Sequence, residues 1–195
     1  MFLTLCSTLI LQLVACFEFH VAPMQGYTNR HFRSFARILT PSAILWSEML
    51  KPTDLIDSSH VKQYKLLSRG SIDEMCNGKS VLQFGGDSAE ELIRSIKLAL
   101  PFGYSQFDLN CGCPSIETNA HFGAALMKRA DHVAMLIDDM SAASQGNIPV
   151  SVKCRIGVHD EWNDGIDDSY DVLHAFISKV TASGSCKSII VHARR

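Results

Sequence analysis

The amino-acid sequence predicts an α/β fold built on a parallel sheet. Three observations point there. Six short runs rich in Val, Ile, Leu or Phe recur along the 195 residues, each bounded by Gly, Pro, Asn or Ser. Amphipathic stretches of helical period lie between them. The polar residues that interrupt the apolar runs gather at the C-terminal ends of those runs. Strands alternating with helices argue for βα units. Polar chemistry collected at strand C-termini is the arrangement of a TIM (β/α)8-type barrel. With six units counted in place of eight, the barrel reads as truncated after about six βα units.

Taken in order, residues 1–17 form an atypical apolar start, "MFLTLCSTLILQLVACF", with no charge before Glu18. It lacks the basic n-region of a signal peptide, and a strand pattern follows with almost no linker, so a mis-assigned start is expected ahead of an export or organelle signal. About 17 residues is marginal for a membrane span, and no stable membrane partner is expected. Strands are expected at Glu18–Pro23, Ala43–Ser47, Ser80–Phe84, Gln106–Asn110, Pro149–Lys153 and Ser188–His192. Helical patterns occupy "NRHFRSFARIL", "SAEELIRSIKLAL", "DHVAMLIDDMSAAS" and "DDSYDVLHAFISKVTAS". In "DSAEEL", Asp87 or Ser88 supplies an N-cap with acidic residues in the first turn. No linker-like or low-complexity tract divides residues 18–195, so they read as one domain.

Composition narrows the function classes. The chain is 47% hydrophobic and 19% charged with a net charge of −2, so it has a real core and no overall basic balance that would announce a nucleic-acid partner. Seven cysteines, an odd and irregularly spaced set, fit reduced intracellular thiols better than a disulfide framework. The pair in "LNCGCPS" has no second pair to complete a zinc site, and no metal is expected.

Strand faces alternate with period two. In "VSVKCRIG", Ser151, Lys153 and Arg155 share a face and leave Cys154 on the other. In "FDLNCG", Asp108 and Asn110 oppose Phe107, Leu109 and Cys111. Gln83 opposes Leu82 and Phe84, and His192 opposes Val191. If the apolar faces meet the helices, Gln83, Asn110, Lys153, Arg155 and His192 converge inside one end of the barrel. Cys111 and Cys154 read as packing residues. Asp108 reads as a brace to a neighbouring strand, and Trp46, Glu48 and Met49 as structural or substrate-shaping.

The ordered set "VAPMQGYTNRHFR", "VLQFGG", "FDLNCGCPS", "HFGAALM", "VKCRIG" and "IIVHARR" closely resembles the tRNA-dihydrouridine synthases from about Phe19 to Arg195, and most nearly the branch acting on D-loop uridines. Ala120 and Ala125 depart from the forms expected there. The resemblance implies an FMN-binding TIM-barrel catalytic domain over residues 18–195. It would reduce the 5,6 double bond of tRNA uridines, U20 and U20a, with hydride from NADPH or NADH. It implies Cys113 as the catalytic proton donor. Pro23, Met24, Gln25, Gln83, Lys153 and His192 would hold the cofactor, and Asn110 and Arg155 the substrate. An ordinary thiol, with a pKa near ~8.5, is mostly protonated at neutral pH and can serve as the acid. Arg155, His159, Arg194 and Arg195 are further candidates for RNA contacts, with Lys128 and Arg129 more simply a solvated helix end. The family's last two strands, with its phosphate site, and its C-terminal helical tRNA-binding domain have no counterpart here, so a fragment is expected. A monomer is expected, cytoplasmic, or mitochondrial or plastid in a eukaryote. Two other classes stay open: an FMN-dependent oxidoreductase of a free pyrimidine, such as a dihydroorotate dehydrogenase-like enzyme, and an inactive or RNA-binding remnant.

Overall fold

The computed structural model describes residues 18–76, 78–114, 121–159, 166–167 and 170–194. The apolar segment 1–17, residues 115–120 and Arg195 lie outside the described residues, as does the side chain of His159.

Among the described residues six strands form one all-parallel sheet in the order β1 His20–Val21, β2 Ile44–Leu50, β3 Ser80–Phe84, β4 Gln106–Cys111, β5 Val150–Arg155 and β8 Cys186–His192. A two-stranded antiparallel ribbon, β6 Val158–His159 with β7 Ile166–Asp167, sits between β5 and β8 in sequence. The first strand is shorter than the expected Glu18–Pro23 at both ends, His20 and Val21 alone pairing with β2. The second runs three residues past Ser47, and the fifth reaches Arg155. The sheet curls into a half-barrel. Ile44, Trp46 and Val81, from β2 and β3, pack inside it against Ile190 of β8, so opposite walls meet across the interior.

Helices coat the outside. Helix α1, Arg30–Leu39, starts where the Asn29 side chain accepts from the N–H groups of His31 and Phe32. Helix α5, Ala89–Ala99, starts at Ser88, whose hydroxyl accepts from the N–H of Glu91, so of the two capping candidates the serine serves. Helices α6, Ala130–Ala143, and α7, Tyr170–Thr181, complete the layer. Between helices and sheet lies the core, with Phe84, Phe107, Leu109, Val152, Leu92, Ile96, Leu136 and Ile137 fully enclosed. Cys111 and Cys154 belong to it, side by side in register on β4 and β5.

Three short helices after β2 were not legible from periodicity: α2 Pro52–Ile56, α3 His60–Leu67 and α4 Ser71–Met75. At five to eight residues, each is too short to repeat an apolar spacing. The last of them carries Asp73, which is fully buried against Arg37 of α1, with Nε 2.7 Å from its carboxylate. Arg37 also donates to the carbonyls of Pro41, Ala43 and Lys79, at 2.7, 2.5 and 2.9 Å. The other carboxylate oxygen accepts from the Ser80 hydroxyl. One ion pair thus ties α1 and α4 to the N-terminal ends of β2 and β3. That is the end of the barrel given to stability rather than chemistry.

Candidate active site

At the opposite end, β2 contains an irregularity that sets the geometry of the mouth. Trp46 pairs with Val81 and Met49 with Gln83, so three steps along β2 match two along β3. This is a bulge of one extra residue. The Ser47 hydroxyl fills the gap in the ladder, accepting from the N–H of Gln83 at 3.0 Å and donating to the Glu48 carbonyl. The bulge turns Glu48 toward β1, where its carboxylate accepts from the N–H of Gly26 at 2.7 Å. The loop Pro23–Gly26 is thereby anchored to β2. Its own turn is closed by Thr28, which accepts from the N–H of Met24 and donates to the Met24 carbonyl. Gln25 lines a cavity of about 300 Å³ with Glu48 and Lys51.

The inner faces of β3, β4 and β5 carry the polar side chains that the pleat predicts. Gln83, Asp108 and Ser151 stand in register across the three strands, and all three are buried. Gln83 Nε2 donates to Asp108 at 2.8 Å, and the Ser151 hydroxyl donates to its other oxygen at 2.6 Å. One layer nearer the mouth, Asn110 stands in register with Lys153. Asn110 Nδ2 donates to Gln83 Oε1 at 2.9 Å. Its Oδ1 accepts from the N–H groups of Gly112 and Cys113 at 3.0 and 2.8 Å. Lys153 is half-buried, and among the described residues its ammonium makes no hydrogen bond. Above it, Arg155 aligns with His192 of β8.

The residues that carry Cys113 are held at every backbone group described. Asn110 takes the two N–H groups, Arg155 donates to the Gly112 carbonyl, and the N–H of Ala124 donates to the Cys113 carbonyl at 2.8 Å. That last contact requires glycine at 123, since a Cβ there would stand 2.6 Å from the Cys113 oxygen at a φ of +70°. Cys113 itself is half-buried, unlike the enclosed Cys111. Of the residues singled out from sequence, Gln83, Asn110, Cys113, Lys153, Arg155 and His192 share this inner mouth. Pro23, Met24 and Gln25 lie on the loop that Glu48 anchors to β2, and the cavity that Gln25 lines includes none of those six. Arg194 lies near enough to act on His192. Partial desolvation, then the charges of Lys153, Arg155 and Arg194, lower the His192 pKa.

Two residues have larger parts than their sequence positions announced. Glu48 needs the bulge to reach Gly26, and no periodic signal reports a bulge. Asp108 was visible on the inner face, but its place as the centre of three hydrogen-bonded side chains was not. Burial pushes its carboxyl from 3.8 up to about 7, against the opposing hydrogen bonds from Ser151 and Gln83 and the charge of Lys153. The unfolded chain releases that proton near pH 4, while the folded chain keeps it to about pH 7. Stability is therefore complete below the ordinary carboxyl value, falls as pH climbs from there to about 7, and changes no further above. The loss is on the order of 4 kcal/mol. Denaturant titrations from pH 4 to 8 should show Asp108→Asn gaining on the wild type across that interval; parallel curves would refute it.

The donor set suits a ligand that carries acceptor oxygens. Lys153 offers a cation that makes no hydrogen bond among the described residues, and Gln83 keeps one N–H beyond the one given to Asp108. Among the described residues no helix is long and apolar enough to cross a membrane.

A family model described as dihydrouridine synthase matches residues 20–195. The chain is 37% identical over 179 residues to a tRNA-dihydrouridine(20/20a) synthase of Xylella fastidiosa (strain 9a5c), covering 91% of this chain and 48% of that protein. It is 38% identical over 175 residues to the protein so named from Xanthomonas campestris pv. campestris, covering 89% and 48%. With the Shewanella oneidensis protein of that name it shares 37% over 182 residues, covering 91% and 48%. The chain spans about half the length of the curated relatives it matches.

Proposed function

The chain belongs to the dihydrouridine synthase family, and from that premise we propose that it is the thiol-bearing part of an enzyme that reduces the uracil 5,6 double bond of D-loop uridines in tRNA. The observation that carries this reading is the grip of Asn110 on the backbone of Cys113 while Asn110 stands in register with Lys153. One inner wall thus offers a proton source and a cation side by side.

The reaction adds a hydride at C6 and a proton at C5. When bound, FMN supplies the hydride, having taken it from NADPH or NADH. Gln83, Lys153 and His192 would hold the flavin, with Pro23, Met24 and Gln25 along one side. Lys153 would place positive charge against it and favour its electron-rich form. Cys113 holds the proton for C5 on a loop whose backbone is already pinned, and its thiolate then recovers a proton from water. Asn110 and Arg155 orient the uracil and the RNA beside it. The base must leave its stack to reach such a mouth, and the RNA backbone would be met by cations at the rim, Arg155 and Arg194 among them.

The test uses the full protein, an unmodified tRNA transcript and reduced nicotinamide. The protein should carry a yellow flavin absorbance, and mass mapping should find a gain of two hydrogens on a D-loop fragment alone. A flavin-loaded protein that leaves the transcript unchanged but oxidises a free dihydropyrimidine would overturn the reading.

A further inference from the structure

We propose that Asp108 is a positioning residue for Cys113, acting through a one-way chain of amide groups that begins at its carboxylate and ends on the Cys113 backbone. The consequence for catalysis rests on the reading of Cys113 given above; the positioning itself does not.

Every donor in the chain points toward Asp108. Gly112 and Cys113 donate to Asn110, Asn110 to Gln83, and Gln83 to Asp108. A carboxamide has two ends of nearly equal size, one an acceptor and one a double donor. Gln83 and Asn110 could bond to each other equally well if both turned over. Reversed, Asn110 would present its NH2 group to the two N–H groups it now receives, and no acceptor would remain for either. Packing cannot choose between the two settings, because the shapes are the same. The choice falls to the two ends: the N–H groups of Gly112 and Cys113 need an acceptor, and Asp108 Oδ2 accepts and has nothing to donate to Gln83. Its Oδ1 faces the Ser151 hydroxyl, which also receives an N–H from Gln106 at 2.7 Å. That hydroxyl has the Phe107 carbonyl within 3.4 Å as an alternative acceptor. A proton on Oδ1 is therefore accommodated on the Ser151 side, and the acceptor at Gln83 persists.

Burial makes the arrangement strict. Asp108 and Gln83 are 0% and 1% exposed and Asn110 8%, so water is not available to satisfy a reversed amide. Arg155 and Ala124 hold only the carbonyls of Gly112 and Cys113. Among the described residues the two N–H groups depend on Asn110 alone, and losing that acceptor frees the thiol's own residue to swing.

The test is residue-resolved hydrogen exchange on the full flavin-loaded protein. Asp108→Leu keeps the volume and removes the acceptor. Asp108→Asn keeps an oxygen toward Gln83, with the Ser151 hydroxyl able to accept its NH2. In the leucine variant the Gly112 and Cys113 amides should exchange at least about tenfold faster, while Phe107 and Val152 in the strands keep their protection. In the asparagine variant those two amides should stay within about threefold of wild type. Dihydrouridine turnover should fall with the exchange in the leucine variant at unchanged KM for tRNA, and recover in the asparagine variant. Protection retained in the leucine variant, or lost equally in both, overturns the proposal. Should Asp108→Leu fail to fold, Gln83→Leu breaks the next link and must release the same two amides; if it does not, the proposal falls. If the exchange pattern holds but wild-type protein reduces no tRNA, the positioning stands and the catalytic reading of Cys113 falls.

Discussion

Cys113→Ala in the full protein is expected to lose roughly 10²–10⁴-fold in tRNA reduction, the usual worth of a positioned proton donor, while keeping its bound flavin. The second half of that expectation follows from how the loop is built. All the hydrogen bonds that fix residues 112 and 113 come from backbone atoms, which alanine retains. The change removes one sulfur from a half-buried side chain and leaves Gln83, Lys153 and His192 untouched. Flavin content and nicotinamide oxidation without tRNA should stay at wild-type levels. Cys111→Ala is the companion measurement. Its thiol lies on the opposite strand face, enclosed in the core, where burial pushes its pKa well above the ordinary value. It should cost about 1–2 kcal/mol of stability and leave turnover per folded molecule near normal. Undiminished turnover in Cys113→Ala would remove that thiol from the chemistry.

Asp73→Ala should cost about 3–5 kcal/mol, because it strands the buried Arg37 guanidinium without its counter-ion. Both side chains are inaccessible to water, so solvent offers no substitute. Replacing the two together with apolar residues of similar volume, Arg37→Met with Asp73→Leu, should recover most of that loss. Three carbonyls now served by Arg37 would then lack a donor, so recovery should be incomplete. Urea titrations of the three variants measure this. Because the pair sits at the end of the barrel away from Cys113, the activity of the molecules that remain folded should be unaltered. A single-variant loss under about 1 kcal/mol would mean that the pair behaves like a surface bridge and does not hold the inserted helices.

The legible part of this protein is the part that a two-residue period can carry. Alternation along β3, β4, β5 and β8 placed Gln83, Asn110, Lys153, Arg155 and His192 on one face, and Cys111 and Cys154 on the other, because each pleat sends successive side chains to opposite sides. Three kinds of information were out of reach. A bulge changes the phase of alternation within a strand, so Glu48 and Met49 could not be aimed from sequence. Helices of five residues hold too few apolar positions to show a period, so α2 and α4 were missed. Pairings between distant residues have no local signature. Arg37 and Asp73 are 36 residues apart, and the contacts of Asp108 come from strands 25 and 43 residues away. Asp108, read as a brace to a neighbouring strand, accepts hydrogens from two of them, from Gln83 on β3 and from Ser151 on β5.

The extra residue in β2 works like a half-tooth offset between two cogs. Ahead of it Trp46 meshes with Val81 to seal the floor, and behind it Met49 meshes with Gln83 at the rim, both pointing inward although three positions separate them. Removing Ser47 would bring the gear back into uniform phase, and one half of the strand would have to show its inward set to the helices. The length of this strand is thus a coded quantity: substitutions can be absorbed along it, but a one-residue slip would unhook the first loop and unseat the floor in the same stroke.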